Sequence, residues 1–285
     1  MIEKHPLDKS QVRKTTLDNG LKAYLLSDPA FNRSAASMCV GVGSLQDPKT
    51  RQGLAHFLEH MLFLGTEKYP DVDEYSTYLR NNGGMSNAYT AGDHTNYQFQ
   101  VFPDAFEGAL DRFSQFFIAP LFTAEYTDRE KNAVHSEYQK NKMNDNWREQ
   151  QIVFSFARDG HPQQKFNIGN METLGDIKND ELLEFYNNEY SANRMSLAVL
   201  SNHSLDDMEK WYRKYFSMVP NHDLENIIYD HNVFERKKTF RLVNIEPVKD
   251  IRALEISFAL PGIRKYYRSK PGSILGYIIG YEGKG

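Results

Sequence analysis

Residues 53–65 constrain the fold of this chain most, because their apolar side chains repeat at the spacing of a helix. The apolar positions fall at i, i+3, i+4, i+7 and i+8: Leu54, Phe57, Leu58, Met61 and Leu62. This period predicts an amphipathic helix that buries the apolar stripe and ends near Gly65. His56, Glu59 and His60 lie outside the stripe, so packing alone does not explain them.

The polar residues of this helix form the pattern His-x-x-Glu-His. Side chains four residues apart on a helix share one face, about 6 Å apart, so His56 and His60 are able to hold one metal ion. Glu59 projects beside them, and this order of residues is the inverzincin arrangement, a reversal of the HExxH motif. The alternative is a pair of surface histidines that bind no metal.

A catalytic zinc ion has three protein ligands and one open position for water. Cys39 is the single cysteine, which excludes a cysteine-based zinc site. Residues 127–130 form a capping box that predicts a helix beginning at Thr127. Glu130 and Glu137 lie two turns apart on one face of that helix, so a glutamate from it would complete the ligand set.

The remaining periodicity predicts an α+β fold, in which strands and helices do not strictly alternate. Asn19-Gly20, between alternating apolar residues, predicts a β-hairpin. Further strands are predicted at residues 35–43, 85–90, 95–102 and 195–200, and further helices at residues 72–82, 103–117, 179–188 and 204–217. Residues 144–178 show no clear period.

Residues 220–237 are polar and aperiodic, and we interpret them as an interdomain linker. Strands near 238–244 and 253–260 and a helix beginning near 269–271 are predicted after it. With 34 basic and 38 acidic residues the formal net charge is −4, which argues against a nucleic-acid partner. No apolar run approaches the roughly 18 residues of a membrane span, so no such span is expected.

Three longer motifs resemble a known family: GLAHFLEHMLFLGTEKYP, SNAYTAGDHTNYQF and EKNAVHSEYQKN. In order and spacing they resemble the insulinase/pitrilysin family of zinc peptidases, and in particular its long single-chain members. The resemblance covers essentially the whole chain. It implies a mostly antiparallel sheet covered by helices, with one complete unit over residues 1–232 and the beginning of a second, related unit over residues 233–285.

The resemblance also implies roles for the residues of the metal motif. His56, His60 and Glu137 match the three ligands of a single zinc ion, and Glu59 matches the general base. Glu130 matches a second carboxylate, which supports the site without touching the metal. The implied activity is zinc-dependent endopeptidase cleavage of oligopeptides and unfolded polypeptides.

The strand around Ser86 matches the edge to which an extended peptide substrate adds in this family. Asn87, Ala88 and Tyr89 are therefore expected to bind substrate, and Trp147 matches a tryptophan near the same cleft. In the long members a C-terminal half of the polypeptide supplies an arginine and a tyrosine to the site. Since that half is absent here, the chain is expected to bind zinc but to cleave peptides feebly or not at all.

A non-catalytic, peptide-binding or structural subunit is the alternative function, because relatives of this fold serve as scaffolds. Scaffold members usually lose part of the ligand set, whereas the four motif residues are all present here. For the compartment, the resemblance favours the periplasm if the source is bacterial, with the cytoplasm as the alternative.

Overall fold

The protein is described from a computed structural model that covers residues 4–230, 232–235, 241–260 and 262–283. Within these ranges the chain forms one six-stranded sheet, whose strands are β1 Gln11–Thr16, β2 Lys22–Ser27, β3 Ser34–Val40, β4 Met85–Thr90, β5 Thr95–Val101 and β6 Met195–Ser201. The strand order is β1-β2-β6-β3-β5-β4. β2 and β6 pair in parallel, and the other four pairs are antiparallel. The predicted α+β fold with a mostly antiparallel sheet is confirmed.

The helices are α1 Leu54–Met61, α2 Glu74–Asn81, α3 Phe106–Gln115, α4 Ala124–Lys142, α5 Asp145–Ser155, α6 Met171–Leu174, α7 Asn179–Glu189, α8 Leu205–Phe216 and α9 Pro271–Ile279. Buried and more exposed side chains alternate along β2, β3 and β6, as expected for strands with one face on the core. The apolar stripe of α1 lies in that core as predicted, with Phe57, Leu58 and Met61 fully buried.

The hairpin predicted at Asn19-Gly20 joins β1 and β2. Gly20 has a φ of +83°, a left-handed conformation that glycine adopts without strain. The side-chain amide of Asn19 donates to the carbonyl oxygens of Phe216 (3.0 Å) and Val219 (2.9 Å). These hydrogen bonds attach the hairpin to the C-terminal end of α8, 197 residues further along the sequence.

The predicted start of the fourth helix is wrong by three residues. α4 begins at Ala124, with Thr123 in extended conformation as its N-cap. Thr127 lies inside the first turns, and its hydroxyl donates to the Thr123 carbonyl (3.1 Å) and to Oδ1 of Asn179 (2.8 Å). The capping-box pattern was misleading because a buried contact with α7 uses that hydroxyl. Residues 144–178, which lack a clear period, contain α5 and α6.

The strand predicted at residues 253–260 is not formed. Of the strand predicted at 238–244, residues 238–240 lie outside the described ranges, and residues 241–244 form no strand. A strand needs a neighbour for its backbone hydrogen bonds, and 241–260 pair with no strand of the described chain. Their alternate apolar residues Leu254, Ile256 and Phe258 are 84%, 71% and 81% exposed. The helix predicted near 269–271 is confirmed as α9.

Candidate metal centre

The N-terminus of α1 is held by a buried carboxylate. Asp47, 3% exposed, accepts hydrogen bonds from the backbone N–H groups of Gly53 (2.7 Å) and Ala55 (2.8 Å). Burial raises the pKa of Asp47 to about 7, against the opposing effects of these two hydrogen bonds and of the Lys165 charge. Asp47 is not predictable from helix-capping patterns because it lies outside the usual capping spacing, six residues before Gly53.

A close backbone contact sets the orientation of the first histidine. Gly53 has a φ of +89°, and a Cβ atom there would lie 2.3 Å from the backbone of Gly169. The loop containing Gly169 therefore approaches α1 as closely as a glycine permits. It places the carbonyl oxygen of Ile168 2.7 Å from Nδ1 of His56. A proton on Nδ1 is donated to this carbonyl, which leaves Nε2 of His56 as the atom that faces the cleft.

His56, His60 and Glu137 converge, as the sequence analysis predicted. Oε2 of Glu137 lies 3.6 Å from Nε2 of His56 and 3.8 Å from Nε2 of His60. One ligand atom from each of the three residues lies within 4.8 Å of the others. The two histidines come from adjacent turns of α1, and the glutamate comes from α4. Within the part of the chain that the structure describes, these three residues are the candidate metal ligands, and we call them the metal cluster.

The cluster fits a zinc ion in geometry and in donor type. Two ligands about 2.1 Å from zinc at a tetrahedral angle lie about 3.4 Å apart. The distances from Glu137 Oε2 to the two histidine nitrogens, 3.6 and 3.8 Å, therefore need adjustments of only a few tenths of an ångström. Two imidazole nitrogens and one carboxylate oxygen are a donor set found in catalytic zinc sites. The Nε2 atoms are presented together because each ring uses its other nitrogen elsewhere.

Glu130 lies behind the cluster. Its Oε2 atom is 3.2 Å from Nδ1 of His60, the arrangement in which a carboxylate fixes the tautomer of a metal-binding histidine. Burial acts to lower the pKa of His60, but Glu130, together with the charges of Glu59 and Glu137, raises it overall. The same hydrogen bond lowers the pKa of Glu130. Of the two carboxylates that the sequence placed on one helix face, Glu137 reaches both histidines and Glu130 contacts one from behind.

Asn141 makes an equivalent contact with Glu137, and the sequence analysis missed it. Its side-chain amide lies 3.4 Å from Oε1 of Glu137, one helical turn away, and the residue is only 9% exposed. The contact occupies Oε1 and leaves Oε2 directed at the histidines. The spacing of four residues on α4 predicts that residue 141 lies near Glu137. That spacing is not specific, because any polar residue at position 141 would fit it equally well.

Glu59 is buried beside the cluster, with 7% of its surface exposed. The hydroxyl of Thr90 donates to its Oε2 atom at 2.6 Å. Burial raises the pKa of Glu59, while His56, the Thr90 hydrogen bond and His60 act in the opposite direction. A carboxylate that takes up a proton more readily than usual is suited to general-base chemistry.

A cleft of about 650 Å³ opens in front of these residues. One wall is β4, from which Asn87, Ala88 and Tyr89 line the cleft, and Trp147 of α5 lines it from another side. Tyr89 and Trp147 are 49% and 38% exposed. The structure thus brings every residue that the sequence analysis assigned to substrate binding to the same cleft as the metal cluster.

β4 is an edge strand, and the hydrogen bonds of its inner side go to β5. At the hairpin turn the N–H of Ala91 donates to the carbonyl of His94 at 2.8 Å. Because hydrogen-bonded and non-hydrogen-bonded pairs alternate along antiparallel strands, the backbone groups of Ser86, Ala88 and Thr90 point away from β5. The backbone of Asn87 pairs with Gln98, so a contact of Asn87 with a ligand would have to use its side chain.

The fold and this cluster define a class of protein, and comparison with known families identifies it. A model described as "Insulinase (Peptidase family M16)" matches residues 22–165, and one described as "Peptidase M16 inactive domain" matches residues 176–285. The chain belongs to the insulinase family of peptidases, M16. The family resemblance drawn from the sequence motifs is confirmed.

Individual relatives agree with this assignment. The chain is 46% identical over 291 residues to the insulin-degrading enzyme of Homo sapiens, covering 100% of this chain and 29% of that protein. It is 45% identical over 289 residues to the A-factor-processing enzyme of Saccharomyces cerevisiae, covering 99% of this chain and 28% of that protein. The crystal structure of pitrilysin matches 82% of this chain and 25% of its own, with a TM-score of 0.79 and 37% identity. The chain thus spans less than a third of the length of these relatives.

Among the residues that the structure describes, no helix combines the length and apolar character that crossing a membrane requires.

Proposed function

We propose that this chain is the metal-binding part of a zinc endopeptidase that hydrolyses oligopeptides and unfolded polypeptides. The observation that carries the proposal is the approach of Glu137 Oε2 to both histidine Nε2 atoms, at 3.6 and 3.8 Å, beside the buried carboxylate of Glu59. His56, His60 and Glu137 would hold one zinc ion per chain. When bound, zinc acidifies a water molecule and polarises the scissile carbonyl group.

The protein's own residues would carry the proton transfers and the positioning. Glu59 would accept a proton from the attacking water on its carboxylate and then deliver it to the leaving amine. Glu130 would hold the ring of His60, and Asn141 would hold Glu137. Each contact keeps a ligand in one orientation before the metal arrives, which reduces the cost of assembling the site.

The substrate would bind as an extended strand along the free edge of β4. The outward backbone groups of Ser86, Ala88 and Thr90 would pair with the substrate backbone and give affinity that is independent of the substrate sequence. The side chains of Asn87, Tyr89 and Trp147 would contact the bound peptide in addition. An extended segment is required for such pairing, so flexible peptides are favoured over folded proteins.

We also propose that residues 1–232 form the catalytic unit and that residues 233–285 begin a second, related unit. The exposure of alternate apolar residues at Leu254, Ile256 and Phe258, and of the apolar helix α9, supports this because such surfaces are covered in stable proteins. The companion C-terminal half of the polypeptide would close the cleft and complete the stabilisation of the transition state.

Zinc content and peptide hydrolysis together test the proposal. After exhaustive dialysis, elemental analysis is expected to find about one zinc per chain in the wild type, an unchanged content in Glu59→Gln, and a much lower one in Glu137→Gln. Glu125→Gln, an exposed residue of the same helix, is the matched control and keeps its zinc. Slow cleavage of a quenched peptide is expected, and Glu59→Gln lowers it by a factor of about 10² to 10⁴.

Other outcomes contradict specific parts of the proposal. Equal zinc in Glu137→Gln and the wild type would remove Glu137 from the ligand set. Cleavage that Glu59→Gln does not reduce would remove the general base. Tight peptide binding with no cleavage, even when the companion C-terminal half is present, would favour the alternative of a non-catalytic peptide-binding subunit.

A further inference from the structure

We propose that Thr90 is the positioning residue for Glu59 and that it couples this carboxylate to the free edge of β4. The inference rests on the proposed function for its catalytic meaning. The sequence motifs assign no role to Thr90, and the proposed function uses only its backbone, as part of the β4 edge.

A short hydrogen bond joins Thr90 to Glu59. Thr90 Oγ1 donates to Glu59 Oε2 at 2.6 Å, the short distance typical of a hydroxyl bound to a charged carboxylate. A buried carboxylate without a partner is costly, so this contact selects among the rotamers of Glu59. With Oε2 held from the β4 side, Oε1 is left as the oxygen available to a water molecule.

The other hydroxyl groups near Glu59 are engaged elsewhere. Thr95 uses its single hydroxyl hydrogen in a 2.9 Å bond to the Val42 carbonyl, and its oxygen is 3.5 Å from that of Thr90. Tyr97 and Tyr190 share one hydrogen bond between their hydroxyls, at 2.8 Å. Among the described residues, Thr90 is the one whose hydroxyl is found donating to Glu59.

Thr90 also lies on the free edge of the sheet, at the end of β4. Its side chain reaches Glu59 on α1, while its backbone groups point away from β5, along the edge where a peptide would add. One residue thus contacts the general base through its side chain and the substrate through its main chain. A peptide paired with this edge is placed at a fixed distance from the Glu59 carboxylate, the kind of orientation on which catalytic rates depend steeply.

Crystal structures of the wild type, Thr90→Val and Thr90→Ser, without metal and with zinc, test the contact independently of activity. Valine keeps the shape of threonine and removes the hydroxyl, and serine restores the hydroxyl without the methyl group. We expect the Glu59 carboxylate to leave its position or to split between conformers in Thr90→Val and to stay in place in Thr90→Ser. Thr16→Val, an exposed threonine on the opposite edge strand, is the control for loss of a hydroxyl from the sheet.

Kinetics of the same variants supply the second readout. We expect kcat for a quenched peptide to fall by about tenfold to a hundredfold in Thr90→Val with KM and zinc content nearly unchanged, and to recover in Thr90→Ser. An undisturbed Glu59 in Thr90→Val, or equal displacement in both variants, would overturn the proposal. If no hydrolysis depends on Glu59, the proposed function fails while the crystal structures still decide the role of Thr90.

Discussion

The Nδ1 atom of His60 lies 3.2 Å from Oε2 of Glu130, so a carboxylate that does not reach the centre of the cluster fixes the ring of a histidine that does. Glu130 and Glu137 occupy the same face of α4, two turns apart. Their distances to the histidine nitrogens show that the two carboxylates have different roles. Glu137 approaches the Nε2 atoms of both histidines, whereas Glu130 contacts only the rear nitrogen of one.

Replacing Glu130 by glutamine is expected to weaken zinc binding without abolishing it. The amide keeps the size of the side chain but loses the charge that strengthens the hydrogen bond with His60, and such partners are typically worth about 10- to 100-fold in metal affinity. Competition with a chromogenic chelator measures the change. Glu125→Gln is the control, and an affinity equal to wild type in Glu130→Gln would contradict a supporting role for Glu130.

The stability of the metal-free protein is expected to depend on pH through Asp47. Its pKa is raised to about 7 in the folded state, against 3.8 when exposed, so the folded state binds the proton more tightly than the unfolded state. Its contribution to stability is therefore present below about pH 4 and is lost as the pH rises through 7, by at most about 1.4 kcal/mol per pH unit.

Urea unfolding of the wild type and Asp47→Asn between pH 4 and 8 measures that contribution together with the change at Lys165, whose pKa is lowered by burial and raised by the Asp47 charge. The wild type is expected to lose more stability than Asp47→Asn on going from pH 4 to pH 7. Parallel profiles for the two proteins would mean that Asp47 ionises at its ordinary pKa despite its burial.

Gly53→Ala is expected to destabilise the fold and to reduce zinc content together. An L residue at φ +89° is strained by about 1–2 kcal/mol, and its Cβ would in addition meet the Gly169 backbone at 2.3 Å. The displaced loop carries the Ile168 carbonyl that orients His56.

Gly160→Ala is the matched control for this glycine. Gly160 has a similar φ of +78°, but a Cβ there would meet nothing within 4 Å. Thermal unfolding and zinc analysis of both variants separate backbone strain from the steric clash. Equal losses of stability, with full zinc in each, would show that the contact with Gly169 does not matter for the site.

Binding of an extended peptide is expected to be sensitive to methylation of alternate backbone nitrogens. A methyl group on an N–H that pairs with the β4 edge removes a hydrogen bond and introduces a clash, whereas methylation of the intervening N–H is tolerated. Fluorescence anisotropy with Glu59→Gln, in which cleavage is strongly slowed, measures affinity across a methylation scan. A uniform response along the peptide would exclude strand addition to β4.

Local sequence patterns specify the elements that carry the site. The helical period at residues 54–62 and the spacing of His56 and His60 are local properties, because neighbours at i and i+4 share a face in any helix. The hairpin at Asn19-Gly20 and the strands that became β4 and β5 follow from patterns of the same short range. For this reason the metal motif, and the helix face shared by Glu130 and Glu137, were predictable without coordinates.

How these elements face one another depends on the packing of segments that are distant in the sequence. The choice of Glu137 over Glu130 depends on how α4 lies across α1, and the family resemblance supplied it before the packing was known. The roles of Asp47, Ile168 and Thr90 come from contacts through backbone atoms or a single hydroxyl, which periodicity does not mark. Asn141 lies one turn from Glu137 on α4, but the structure was needed to show that its amide is directed at that carboxylate. The start of α4 and the missing strand at 253–260 were mispredicted for the same reason, because a hydroxyl's partner and a strand's neighbour are set by the packing of distant segments rather than by local sequence.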